Sequence, residues 1–340
     1  MKNTIILSAL LFVSIWISAQ STNVQNTIVY SLPKTVLAIE VETEKTTYTQ
    51  GIFYQYAGRY LSAKDVITED RMQYSLKEIR VKTQAIPDEN RTYSLSWSNP
   101  KSILYNVAIN EKGILCRINT ACEPAPEPVE KAVKRPAATE KLSLIPMSEE
   151  HMLVSSTAKL AEGAARQILR IRENRLSLLS GEVEHFPDGT AFTLLLEEME
   201  KKERELTELF VGKVTRETHT SIIYYTPENR SVNDILFRLS SINGVVATND
   251  LSGAPYYINI ATTDLQLTTA AKASKKNPII RTIYPAVARV SVTNGRVSYF
   301  SQEFSMPQFG SIVELTEDVL RDKDVKVRID AETGRLLGVE

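Results

Sequence analysis

SEEHMLVSSTAKLAEGAARQILRIRENRLSLLSG, residues 148–181, is the stretch around which the rest of the chain is organised. Ser148-Glu149-Glu150-His151 opens a helix with a capping residue and early acids. Val154, Ala158, Ala161, Ala165, Ile168, Arg172, Leu176 and Leu179 then recur every three or four residues, apolar apart from Arg172. At 1.5 Å per residue the stripe runs roughly 40 Å. Gly181 ends it. After Pro187-Asp188-Gly189-Thr190 a second helix carries Phe192, Leu195, Leu196, Met199, Leu206 and Phe210, and Gly212 closes it. On its outer face Glu197, Glu198 and Glu200 stand four residues before Lys201, Lys202 and Arg204. Two amphipathic helices joined by a short loop predict an antiparallel αα-hairpin, and Ala158, Ala161 and Ala165 permit close approach.

Outward from this hairpin the signal is β. Upstream, residues 27–120 read as strands and turns: Val36–Glu42 alternates in part, aromatics recur at Phe53, Tyr54, Tyr56 and Tyr60, and Ser75–Ala85 and Tyr93–Trp97 are strand-like. Asn110-Glu111-Lys112-Gly113 reads as a hairpin turn. Cys122–Pro146 holds Pro124, Pro126, Pro128, Pro136 and Pro146, the composition of a linker. Downstream, candidate strands are Thr218–Thr226, Ile235–Ser240, Tyr256–Ala261, Ile279–Tyr284, Ala286–Val292, Val297–Phe304, Ser311–Leu315, Val325–Ile329 and Leu336–Val339, with turns at Asn294-Gly295 and Asp330–Gly334. The expected fold class is α+β. Mainly antiparallel β domains, the C-terminal one sandwich-like, are separated by a long antiparallel αα-hairpin. The expected division is a signal peptide at 1–19, an N-terminal β domain at 20–122, a Pro-rich linker at 123–146, the αα-hairpin at 147–212 and a C-terminal β-sandwich-like domain at 213–340.

The first nineteen residues read as a secretory signal: one charge at Lys2, an apolar run from Thr4 to Ile17, and small Ala19 before a cut between Ala19 and Gln20. The run is too short for a membrane span, which needs roughly 20 residues, and no Cys near the cut could accept a lipid. The mature chain is therefore expected to be soluble and periplasmic or otherwise exported. The 40 basic and 41 acidic residues nearly cancel, which argues against nucleic acid as a partner. Cys116 and Cys122 are expected to form a disulfide across a reversal at Asn119-Thr120-Ala121.

The segment Ala165–Glu182, together with Asn249-Asp250-Leu251-Ser252-Gly253, Tyr284-Pro285-Ala286, Gln308-Phe309-Gly310 and Asp330-Ala331-Glu332-Thr333-Gly334-Arg335-Leu336, resembles the exported Bacteroidales family catalogued as domain of unknown function 4831. The resemblance covers most of the mature chain. It implies an exported, non-membrane protein and carries over no catalytic residues.

No motif carries a specific chemistry. Glu182, Glu184, His185 and Asp188 form the densest group of possible metal ligands, but a solvated loop with Asp188 as turn former or cap explains them, and no metal or cofactor is expected. His151, His185 and His219 are the only histidines, and no Gly-x-Ser-x-Gly elbow accompanies them. No catalytic residue is assigned. Tyr54, Tyr56, Tyr60, Tyr93 and Trp97, and Tyr224, Tyr225, Tyr256, Tyr257, Tyr284, Tyr299 and Phe300, are read chiefly as core or cross-strand residues. Arg166, Arg170, Arg172 and Arg175 make the first helix basic, and Arg172 within the stripe points to a buried or interfacial ion pair. The expectation is a non-catalytic envelope module that binds a protein or a glycan. The alternative is a polysaccharide hydrolase working through carboxylates.

Overall fold

The computed structural model describes residues 27–96, 107–119, 156–182, 189–263, 278–316 and 325–340. Its backbone is mostly antiparallel β, with few helices. Strands β1 (Thr27–Thr49) and β2 (Arg71–Ser96) form one long ribbon, in register from Thr27↔Ser96 to Tyr48↔Arg71. The two strands expected within 75–97 are thus one. Pro33 lies opposite Pro87 beside a register shift at Ser31/Pro33, where a residue without an N–H is tolerated. The short hairpin β3 (Val107–Ile109) and β4 (Leu115–Ile118) turns where expected, with Gly113 at φ +82. A Gly here is free of the penalty other residues meet at positive φ.

The connection between β1 and β2 is helical, where residues 27–120 were expected to hold strands and turns alone. A 3-10 turn (Tyr54–Tyr56) and helix α1 (Ala57–Leu61) place Phe53 and Ala57 against helices α2 (Thr157–Ser180) and α3 (Gly189–Val211). Ala161, Ala164, Ala165, Ile168, Leu206 and Phe210 complete this core, and the Phe53 and Phe210 rings lie 5.4 Å apart. The backbone locks the same contact: Phe53 N–H donates to Leu209 C=O at 2.7 Å and Ile67 N–H to Val211 C=O at 2.9 Å. The apolar stripe of α2 differs from expectation in its outer half. Leu176 and Leu179 are 68% and 61% exposed, while Ile171, Arg175 and Leu178 are half-buried. Arg172 makes the expected interfacial ion pair, its Nε 2.6 Å from Glu203, and Arg175 reaches the same carboxylate at 2.9 Å. Gly181 and Gly212 follow the helices at positive φ, as expected. Helix α2 starts at Thr157, after Ser156 in extended conformation, and not at the expected opening Ser148–His151; residues 148–155, 183–188 and 123–146 lie outside the described residues. So do Ala19 and Gln20, the two residues that flank the expected signal cleavage, and with them the whole leader 1–19.

The remaining strands are β5 (Lys213–Tyr225), β6 (Ser231–Ser240), β7 (Gly244–Val246), β8 (Ala254–Thr263), β9 (Pro278–Thr293), β10 (Ser298–Thr316), β11 (Val327–Ile329) and β12 (Leu336–Val339). They build three sheets with the N-terminal strands, ordered β2-β1-β5, β10-β9-β8-β6-β7 and β12-β11-β4-β3. Strand pairing therefore crosses the division expected between 20–122 and 213–340: β5 joins β1, and β11 joins β4. The first two sheets share one core. Leu37, Ile39 and Val41 of β1 and Ile79 and Val81 of β2 meet Phe237, Ile258, Ile260, Val290, Val292 and Met306. Burying such a side chain contributes about 1.5–3 kcal/mol relative to leaving it exposed. Between the inward residues of β1, Glu40 and Glu42 stay on the outer face and pair with Arg80, Lys77 and Lys82 of β2. A second core gathers Tyr30, Leu32 and Leu95, Leu115 and Ile118, Ile280, Ile283 and Leu315, and Val327 and Ile329. Both long ribbons, β1-β2 and β9-β10, run through the two cores, and one irregularity of each, Ser31/Pro33 and Met306/Ser311, falls where it passes from one to the other.

Candidate functional site

The crossing of the two ribbons builds the candidate site. In the β9-β10 ladder Met306 pairs with Ala286 and Ser311 with Tyr284, so residues 307–310 bulge opposite Pro285 alone. A bulge strands backbone carbonyls, and buried ones need donors. Arg91 of β2 supplies two: Nη1 donates to Pro307 C=O at 3.1 Å and Nη2 to Gln308 C=O at 2.8 Å. Arg230 donates to Phe309 C=O at 3.0 Å. The Gln308 carboxamide grips β1 in turn, accepting from Thr35 N–H at 3.0 Å and donating to Thr35 C=O at 3.1 Å. Gly310 is sterically required, since a Cβ there would lie 2.2 Å from Tyr284 O.

Beside this crossing lies a cleft of about 190 Å³. Thr35 comes from β1, Thr83 and Ala85 from β2, Glu303, Phe304 and Ser305 from β10, and Glu332 and Thr333 from the β11-β12 turn. The turn is held by Asp330, whose carboxylate accepts from Glu332 N–H at 3.0 Å and Thr333 Oγ1 at 2.6 Å. Gly334, at φ +68, donates to Asp330 C=O and fits against Pro33. Ile283 N–H donates to Gly334 C=O at 2.9 Å, tying the turn to β9. Glu303 is paired with Arg289 at 2.9 Å. Phe304 is half-buried, stacked on Phe300 at 6.1 Å. Hydroxyl-bearing, acidic and aromatic residues thus border a cleft held by hydrogen bonds on the β1, β10 and turn walls, the buried Thr35 hydroxyl itself donating to Ser305 C=O at 3.2 Å. Such a lining can donate to and accept from a polyhydroxylated ligand while presenting an apolar face.

The residues singled out in the sequence lie elsewhere. Cys116 is buried on β4 with its Sγ 3.5 Å from Ile114 O. Cys122, and with it the expected bridge, is outside the described residues, as are Trp97, Glu184, His185, Asp188 and His151. Glu182 is exposed after α2. His219 stands on β5, its Nε2 3.7 Å from Glu217 and its ring 6.1 Å from that of Tyr74. Among the described residues no group of three or more His, Cys, Asp or Glu is placed to hold a metal ion. The aromatics divide. Tyr256 stacks on Phe237 at 4.7 Å in the first core, and burial together with the Tyr299 hydroxyl pushes its pKa up to about 12. Tyr225 is raised too, by burial and by its hydrogen bond to Asp234. Tyr224 instead is 66% exposed on β5. The sequence reading passed over Glu303, Arg91 and Thr83. Gln308 stood out only as a mark of family likeness, and Asp330–Gly334 as that and as a turn, neither as part of a site.

The family described as Domain of unknown function (DUF4831) matches residues 26–337 of the 340. Neither a curated protein nor a solved structure matches the chain. No helix among the described residues is long and apolar enough to cross a membrane. Three of the segments that carry the likeness, Tyr284–Ala286, Gln308–Gly310 and Asp330–Leu336, meet at the ribbon crossing, and the match runs through all of them: the chain belongs to the DUF4831 family.

Proposed function

We propose that this protein is an exported, non-catalytic envelope module that binds a glycan in the cleft at the ribbon crossing. The observation that carries the proposal is the lining: the polar residues Thr83, Ser305, Thr333, Glu303 and Glu332 border one cleft together with Phe304. Sugar hydroxyls are donors and acceptors in equal measure, and a pyranose also has an apolar C–H face. The cleft is smaller than drug-sized pockets of roughly 300–1,000 Å³, which suits a single ring of a longer chain. In this reading the two sheets that share the first core form a sandwich. The two long helices form an antiparallel αα-hairpin that braces the β1-β2 turn, a geometry favoured by the pairing of Arg172 with Glu203 and of the later Arg175 with the earlier Glu200. Export through cleavage between Ala19 and Gln20 and a Cys116–Cys122 bridge belong to the same proposal. N-terminal sequencing, which should begin at Gln20, and thiol labelling of the denatured, unreduced protein test them.

Calorimetric titration of the full chain with cell-wall and plant oligosaccharides tests the cleft. Binding that is lost in Phe304→Ala and in Glu332→Gln supports it; binding to none, or binding indifferent to both changes, overturns it. The presence of two acids in one cleft also favours a second reading, a carboxylate-dependent polysaccharide hydrolase. Turnover of the same oligosaccharides, abolished by Glu303→Gln or Glu332→Gln in a folded protein, would establish that reading instead.

A further inference from the structure

We infer that β5 is a dimerisation edge, on which a second copy of this chain adds its own β5 antiparallel to make one continuous sheet. Among the described residues β5 pairs on one side only, with β1, over its whole length from Lys213 to Tyr225. Among the described residues no strand pairs with its outer side, which leaves backbone donors and acceptors there as a template for another strand. Its outward side chains include Val214, Ile222 and Tyr224, at 46%, 53% and 66% exposure.

The occupant follows from the order of residues along the strand. A two-fold axis normal to the sheet through Thr218 keeps outward residues outward in both copies. It sets Val214 opposite Ile222 of the second copy, Arg216 opposite Thr220, Glu217 opposite His219 and Thr218 opposite itself. Apolar then meets apolar, acid meets imidazole, and hydroxyl meets hydroxyl, each a favourable cross-strand pair. Moving the axis to Arg216 or Glu217 would set like charges against each other, and moving it to His219 would leave Glu217 without its imidazole partner. Arg216 is already held 3.7 Å from Glu44 of β1, and Glu217 lies 3.7 Å from His219, so the charged members stand ready on their own strand. The pattern is isologous, as closed dimers require. This inference does not depend on the cleft.

The test is sedimentation of the full chain over a concentration series, with two variants of Thr218. The unaltered protein should dimerise reversibly. Thr218→Glu should weaken association by about tenfold or more, because like charges directly opposite each other repel. Mild oxidation of Thr218→Cys should give a 218–218 disulfide, identified by peptide mapping, because directly opposite residues have Cα atoms about 4.5–5.5 Å apart, within disulfide reach. Thr220→Cys, which faces Arg216, should not cross-link to itself. A monomer at every concentration would overturn the inference and leave β5 to a different protein. So would a dimer that persists in Thr218→Glu and yields no 218–218 link.

Discussion

Gln308 holds Thr35 by both of that residue's backbone groups, at 3.0 and 3.1 Å, across 273 positions of sequence. The carboxamide imitates a neighbouring strand, offering one acceptor and one donor where the β10 backbone itself bulges away. Thr35 is 3% exposed, so water cannot replace the lost partner. Gln308→Ala should therefore lower stability by about 1–3 kcal/mol, the usual cost of stranding buried polar groups. Gln308→Glu should be no better than Ala, because it removes the donor. Urea denaturation midpoints of the three proteins check this.

Gly310 and Gly113 offer a matched pair. A Cβ at 310 would meet Tyr284 O at 2.2 Å and Pro285 Cα at 2.8 Å, and backbone cannot swing aside as a side-chain tip can. Gly310→Ala should destabilise by about 3 kcal/mol, the upper range for overpacking. Gly113 has open space around it and only its φ of +82 to object, so Gly113→Ala should cost about 1 kcal/mol. Equal losses in thermal denaturation would show that the bulge is not closed around Gly310.

The helical core makes a sharper contrast. Ile168 is fully buried against Leu206 and Phe210, and Leu176 is 68% exposed on the same helix. Ile168→Asp strands a charge and removes a core side chain, which should cost about 4 kcal/mol or more. Leu176→Asp should change stability by no more than about 0.5 kcal/mol. Were residues 172, 176 and 179 the true seam, the second change would be as damaging as the first.

Alkaline pH should find the tyrosines of the first core. Tyr256 is raised from an ordinary value of 10.0 to about 12 by burial and by Tyr299. Its proton is thus held more tightly folded than unfolded, so its contribution is complete below pH 10 and is lost as pH rises from there toward 12. Tyr256→Phe should flatten the fall in denaturation midpoint between about pH 10 and pH 12. An unchanged slope would mean that the hydroxyl is as solvated in the fold as in the unfolded chain.

Local order was legible in the sequence because residues near one another in the chain encode it. The 3.6-residue period marked both long helices, with glycines 181 and 212 as their stops, and the period of two marked most strands. Gly113, Gly295 and Gly334 take the positive φ that their turns demand. The tertiary structure alone decided what those elements meet. A helical stripe has width, and only the partner helix selects which edge of it is covered; hence Leu178 turned inward and Leu176 did not. Tyr54–Leu61 carries no strong local signal and became helical because Phe53 and Ala57 dock on Phe210 and Ile168. Nothing in the alternation of β5 names β1 as its neighbour, nor in β4 names β11, since alternation fixes a face and not a partner. The cleft is the extreme case. Thr35, Thr83, Glu303 and Glu332 are ordinary surface residue types in sequence, and they become one site only because two ribbons cross, with Gln308 and Arg91 holding the crossing.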